Sequence, residues 1–248
     1  MSQRNIFDHF QRLLQETNGE LRILEHQVPV EMQMEYFKYA NRLRKVALPM
    51  EENEFEYYAT DLYSSDSSLE RKKQLLSTLA ISKQPKAYRI LEKYVQTTDT
   101  ELKDWAAMAL MESRIALESE LSGERQIFIS SGLGGKGNKL RFYILLLSAS
   151  GNPFLDYQQQ VIEREFNYML LQQDSEIEHL TVKDNYAELI VLTPIQLDIV
   201  HMIENIVTEC NQYGDFISNT IALTNVKRLS EDEIAQIIQR HEGNQAGS

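Results

Sequence analysis

The residues with the clearest potential for chemistry form a basic, glycine-rich segment near the middle of the chain. Four of the ten glycines lie between residues 132 and 137, and residues 125–155 contain no acid. Consecutive glycines let backbone N–H groups converge on an anion, and nearby cations add charge. The candidate contacts to an anion or a partner are Arg125, Gly132, Gly134, Gly135, Lys136, Gly137, Lys139 and Arg141.

Established phosphate-binding patterns do not fit this segment. Gly132, Gly134 and Gly137 have the spacing of a dinucleotide-binding loop, but a strand follows where that motif needs a helix. The Walker pattern fails because Asn138-Lys139 stands where Lys-Ser/Thr is required. The arrangement looks like the phosphate-covering loop of protein kinases, yet no catalytic-loop or metal-binding motif of that family follows. A flexible hairpin kept soluble by lysines and a functional contact both stay open as interpretations.

The other groups with chemical potential do not assemble into a site. A metal site needs three or four convergent ligands, whereas His201 with Glu204 on one helix and the cluster 176–179 offer no repeated ligand pair. Cys210 lies on the apolar stripe of a predicted helix, where a thiol usually packs as a small hydrophobe. No G-x-S-x-G elbow occurs. We therefore predict no catalytic residue, no metal and no cofactor, and hence no enzyme.

The turn 148–152 joins a predicted strand to a predicted helix. Because helix N-termini attract anions, this position could hold a small ligand. It loosely resembles the ligand site of regulatory domains of the ACT type. The resemblance rests on topology, and it implies a small-molecule sensor as one further alternative.

Composition limits the classes of function. The 248 residues carry a net charge of −12, which disfavours broad binding to nucleic acid or to anionic membranes. One cysteine cannot form an internal disulfide, and the N-terminus lacks a signal-peptide pattern. The longest apolar run is far shorter than the roughly 20 residues of a spanning helix. We predict a cytoplasmic protein with no membrane contact.

Helical periodicity dominates the first half of the chain. Amphipathic helices are predicted at 5–17, 29–49, 69–81, 85–96 and 100–121, and short joints between the last three favour antiparallel neighbours. The segment TDTELKDWAAMALMES, with its Asp-containing turn and paired alanines, resembles the start of a HEAT-type repeat. The resemblance covers about residues 68–118, and it implies a protein-binding scaffold.

The second half alternates strands and helices. Strands are predicted at 140–148, 176–182, 186–193 and 217–226, and helices at 153–173, 194–214 and from 230 onward. Capping boxes are predicted at Thr193–Gln196 and at Ser230–Glu233, where the last two helices start. This βαββαβ order is the ferredoxin-like pattern. We therefore predict an α+β protein with a helical domain at 1–122, a ferredoxin-like domain at 123–242 that includes a glycine-rich hairpin at 131–139, and a disordered tail at 243–248.

The first of these strands is apolar on both faces. Phe142, Ile144 and Leu146 alternate with residues 143, 145 and 147, which are also large and apolar. A ferredoxin-like sheet carries helices on one face, so the other face also needs a cover. We expect the N-terminal helices or a second copy of the chain to supply it, which predicts tight docking of the halves or a homodimer.

The leading hypothesis for function is a non-enzymatic adaptor or scaffold that binds a protein partner. The alternative is an anion- or RNA-contacting protein that uses residues 125–141, in a ribonucleoprotein for example. Binding of that kind should weaken with salt.

Overall fold

A computed structural model describes residues 21–46, 50–97, 101–123 and 127–245. They fall into two units, a helical unit up to Gly132 and a sheet unit from Leu133 onward. The sequence analysis placed this division at residue 122. The helix predicted at 5–17, Arg125 and the tail residues 246–248 lie outside the described residues.

Within the described residues, the helical unit consists of strands β1 (Leu21–Ile23) and β2 (Ile127–Ile129), which pair in parallel, and of helices α1 (Val30–Arg44), α2 (Glu54–Tyr63), α3 (Leu69–Ile81), α4 (Pro85–Thr97) and α5 (Lys103–Ser122). The three helices predicted between residues 69 and 121 are confirmed as α3, α4 and α5. Local interactions explain where two of these helices begin. The Ser68 hydroxyl accepts the Arg71 N–H at the start of α3, and Pro85 opens α4, where its missing N–H costs nothing.

The core of the helical unit centres on Trp105 of α5. Its indole N–H donates to the Ser77 hydroxyl of α3 at 3.0 Å, and the rings of Tyr36 and Tyr39 on α1 meet its ring edge-on at 5.3 Å. The Lys73 ammonium lies 4.5 Å from the centre of the same ring. Trp105 therefore holds α1, α3 and α5 in one fixed arrangement.

Within the described residues, the sheet unit consists of β3 (Gly135–Lys136), β4 (Lys139–Ser148), α6 (Asp156–Gln172), β5 (Glu176–Lys183), β6 (Tyr186–Pro194), α7 (Ile199–Asn211), β7 (Ile217–Thr224) and α8 (Glu231–Gln245). Strand β4 pairs antiparallel with β6 on one side and β7 on the other, and β6 also pairs with β5. The resulting order β7-β4-β6-β5 is that of the ferredoxin-like fold. The predicted α+β class and βαββαβ order are confirmed.

Both faces of β4 are buried, as its sequence requires. On one face Ile144 and Leu146 pack into a cluster with α6 and α7. On the other face residues 143, 145 and 147 pack with Leu133 and with Ile234 of α8. Within the sheet unit the second face is thus covered by the terminal helix, a role that the sequence analysis had given to the N-terminal helices or a second chain.

Helix starts in the sheet unit were predicted with mixed success. Ser230 and Glu233 form the predicted capping box: each backbone N–H donates to the other's side chain. The capping box predicted at 193–196 is wrong, because β6 continues through Pro194 and Asp198 caps α7 instead, accepting the His201 N–H at 3.1 Å.

The bounds of two helices also differ from the prediction. Helix α6 begins at Asp156, three residues later than the predicted Pro153. The terminal helix continues to Gln245, so residues 243–245, interpreted as tail, are helical.

Across the part of the chain that is described, none of the helices combines the length and the apolarity needed to cross a bilayer.

The cover over the second face predicts a specific loss of stability. Ile234 is 3% exposed against β4, so Ile234→Ala should lower the free energy of unfolding by about 3 kcal/mol, the usual cost of emptying a buried isoleucine site. Ile238→Ala, at a half-buried site on the same helix, should cost clearly less. Urea denaturation measures both, and equal losses would contradict this role for Ile234.

Candidate functional site

The glycine-rich segment folds as a tight hairpin on the edge of the sheet. Lys136 and Lys139 pair across a two-residue loop, Gly137-Asn138, in which Gly137 has φ +60°. A positive φ at the first loop position is the pattern of a type II′ turn, which suits the twist of adjoining strands. Gly134 also has a positive φ, +68°, and its carbonyl accepts the Arg141 N–H at 3.0 Å. The glycines therefore have a backbone role. We call residues 133–141 the glycine hairpin.

The cations of the glycine hairpin point across the sheet to acids at β5. Lys139 Nζ lies 3.0 Å from Asp174 Oδ1 and 2.8 Å from Glu176 Oε1. Arg141 binds Glu178 through two nitrogens and donates a third bond to the Leu133 carbonyl at 2.8 Å. These side chains reach over β6, so they join strands that are not neighbours.

The ion pairs set the charge states of the carboxylates. Hydrogen bonds from Lys139 lower the pKa of Glu176, and those from Arg141 lower the pKa of Glu178. The same contacts with Glu176 and Asp174 raise the pKa of Lys139. The Lys139 and Arg141 side chains are each only 12% exposed, whereas Asp174 and Glu176 remain largely exposed, so solvent screens the Lys139 pairs.

The glycine hairpin therefore carries no surplus of positive charge. Lys136, the most exposed of its cations, also lies 3.8 Å from Glu176. Residues 133–248 contain eight basic and sixteen acidic residues, a net charge of −8. An anion approaching the hairpin meets cations that carboxylates already neutralise. Sequence reasoning missed this because the acids follow the cations by about 35 residues and only the sheet brings them together.

Gly132 belongs to the helical unit, and it directly follows Ser131, which is buried and hydrogen-bonded. The side-chain amide of Gln33 on α1 donates to the carbonyls of Val28, at 2.8 Å, and Ser131, at 3.2 Å. Gln33 and Ser131 are both buried, so these bonds fix the end of the unit.

The predicted ligand turn at 148–152 is occupied by the protein's own groups. Ser148 N–H donates to the Asn185 carbonyl at 2.8 Å, and the Asn185 side chain donates to the Gly151 carbonyl at 3.2 Å. Helix α6 starts four residues beyond the turn, and Gln158 caps its first free N–H at Leu155. The turn and the helix N-terminus therefore do not coincide.

The remaining candidates for chemistry lie apart. The His179 ring bonds to Thr181, His201 is exposed on α7, and Cys210 is buried in the core of the sheet unit. Burial raises the pKa of the Cys210 thiol to about 12. Among the described residues, no group of three His, Cys, Asp or Glu side chains is arranged to hold a metal ion.

A site that sequence reasoning did not find is an apolar groove in the helical unit. It has a volume of about 510 Å³ and is lined by residues of α1, of α5 and of the end of α3, namely Phe37, Arg44, Ala80, Ile81, Lys83, Met108, Met111, Glu112, Ile115 and Ala116. Ala80 and Met108 are buried, whereas the apolar side chains of residues 37, 81, 111 and 115 are half-buried. The apolar groove therefore offers apolar surface that the described residues of the helical unit leave partly uncovered.

Three charged residues also line the apolar groove. Glu112 is engaged from two sides, since it pairs with the Arg44 guanidinium and accepts from the Tyr36 hydroxyl. Burial is the main cause that raises the pKa of Tyr36 well above its usual value, and the negative charge of Glu112 raises it further, so the hydroxyl keeps its proton. Lys83 is exposed and forms no ion pair with the described residues. The one hint in the sequence is that the second half of α5 carries apolar residues on several faces.

Comparisons with known proteins give no assignment. No protein-family model and no curated protein matches the chain. Among solved structures it matches a crystal structure of a "putative transposase" from Deinococcus radiodurans R1, with a TM-score of 0.34 and 18% identity over 44% of this chain and 93% of that one. A likeness this distant identifies neither a family nor an activity.

The ion pairs of the glycine hairpin predict a dependence of stability on pH. The folded pKa values of Glu176 and Glu178 are lowered, so their pairs stabilise the fold above the ordinary carboxyl pKa and lose this effect as pH falls through the lowered values. Wild type should exceed Glu176→Gln/Glu178→Gln in free energy of unfolding at neutral pH, and the two should converge as the pH falls through the lowered pKa values of the two carboxyl groups. Urea denaturation across this range tests it. A difference that stays constant with pH would contradict the prediction.

The buried thiol predicts slow chemical labelling. Because Cys210 is the single cysteine, a colourimetric thiol reagent reports on it alone. Labelling should be slow in native buffer and fast in denaturant, since unfolding exposes the thiol and returns its pKa to about 8.5. Equally fast labelling of the folded protein would show that Cys210 is accessible.

Proposed function

We propose that this chain is a non-enzymatic interaction protein that binds an apolar segment of a partner protein in the apolar groove. The observation that carries the proposal is the groove itself, with half-buried Phe37, Ile81, Met111 and Ile115 around a buried base. Concave clefts lined mainly by apolar side chains are where proteins most often bind ligands and peptides. Methionine side chains, here Met108 and Met111, adapt to varied apolar surfaces.

The geometry of the apolar groove suits the binding of a helix or a peptide from a partner. The groove runs between helices that Trp105 holds in place, so its walls are rigid enough to be largely preformed. Amphipathic helices bind other helical proteins by placing an apolar face in such a groove. The HEAT-like order of α3, α4 and α5 points the same way, by resemblance alone.

Contact with RNA or an anion through the glycine hairpin has less support. Its cations are paired with Asp174, Glu176 and Glu178, and the unit that carries it is strongly acidic. A small-molecule sensor has less support as well, since the predicted ligand turn is filled by its own hydrogen bonds.

Substitution in the groove should abolish capture of the partner. Ile115→Lys puts a charge among apolar lining residues, so recovery of the partner in affinity purification from the native cell should fall by about tenfold or more. Quantitative mass spectrometry of the purified material measures the ratio to wild type.

Leu121→Lys is the matched control, because Leu121 lies on the same helix but is 85% exposed and outside the groove. It should leave recovery near the wild-type level. Circular dichroism and thermal melting must show that both variants fold. A partner recovered equally by wild type and Ile115→Lys would rule out the groove as its site.

A further inference from the structure

Lys83 occupies a backbone position that lysine rarely adopts. It is the first residue after Ser82, the C-cap of α3, and its φ is +56°. Helices commonly end with a left-handed residue at this position, and glycine or asparagine usually fills it because an L side chain is strained there. Lys83 therefore carries local backbone strain.

The same lysine lines the apolar groove. It is exposed and has no ion-pair partner among the described residues. The other two charged lining residues, Arg44 and Glu112, neutralise each other. Among the residues that the structure describes, the groove thus combines apolar lining with one positive charge, that of Lys83, which has no ion-pair partner. Residues held in sparsely populated backbone conformations often cluster at binding sites.

We propose that the apolar groove takes an acidic amphipathic segment of a protein, whose apolar face fills the groove and whose carboxylate pairs with Lys83. The inference rests on the proposed function and adds the charge that the partner must carry. A neutral apolar segment would leave Lys83 without a partner, and a basic one would place like charges together.

The experiment uses three labelled helical peptides that share one apolar face and differ at a single flanking position, which is Glu, Gln or Lys. Fluorescence anisotropy measures their affinity for the full chain at low and high salt. The Glu peptide should bind at least about tenfold more tightly than the Lys peptide, and added salt should reduce this preference.

Substitutions at Lys83 separate a binding role from a structural one. Lys83→Gly should remove the preference for the Glu peptide while raising the melting temperature, because it relieves the strained φ. Lys83→Glu should reverse the preference. Lys93→Glu, the same charge change at an exposed site on α4 outside the groove, should leave it unchanged. A lysine kept for stability alone would give a lower melting temperature in Lys83→Gly and unaltered peptide selection.

The outcomes separate the two proposals. Equal binding of all three peptides, abolished by Ile115→Lys, overturns the role of Lys83 and leaves the groove as a binding site. Binding of none of them overturns both proposals. Displacement of the Glu peptide by oleate at lower concentration than by unlabelled peptide would show that the groove takes a fatty carboxylate, and it would overturn the protein partner.

Discussion

The sheet unit depends on one constraint, the burial of a strand that is apolar on both faces. Neither face of β4 can be left to solvent, so the chain must supply two layers of cover. Helices α6 and α7 bury one face, and α8 with Leu133 buries much of the other. The glycine hairpin contributes to the same cover, because it leads directly into β4 and places Leu133 against that second face of the strand.

In the helical unit, one large side chain, Trp105, sets how the helices pack. Trp105 has contacts with α1 and α3 through its ring edges, its indole N–H and a cation over its face. A residue fixed from so many directions defines the spacing of three helices. The apolar groove lies between those same three helices. Its shape is therefore set by the Trp105 contacts, which form without any ligand.

Sequence patterns predicted elements whose signals are local. The two-sided β4, the periodic helices α3 to α5 and the Ser230 capping box all depend on residues within a few positions of each other. The wrong helix start at 193–196 shows the limit: Thr193 and Pro194 have the residue types of a cap, but pairing with β4 keeps them in a strand. Tertiary hydrogen bonds outweighed a local preference there.

The candidate sites were less predictable because they depend on distant residues. Nothing near Lys139 or Arg141 in the sequence reveals that residues 174–178 neutralise them. The groove draws on α1, α3 and α5 together, and each of its apolar residues alone is indistinguishable from a core residue. The left-handed backbone at Lys83 is also invisible in the sequence, because a lysine at the end of a helix is ordinary.

The ion pairs over the sheet have a second consequence, which concerns the unfolded chain. The run from Leu140 to Ser148 is rich in aromatic, isoleucine and leucine residues, a composition that favours aggregation whenever the segment is exposed. In the native state Lys139 and Arg141 are neutralised by β5, but unfolding separates them from those acids. They then stand as uncompensated charges at the start of the run, where charged residues act as gatekeepers against self-association. The same two cations thus stabilise the folded sheet and oppose self-association of the β4 segment in the unfolded chain.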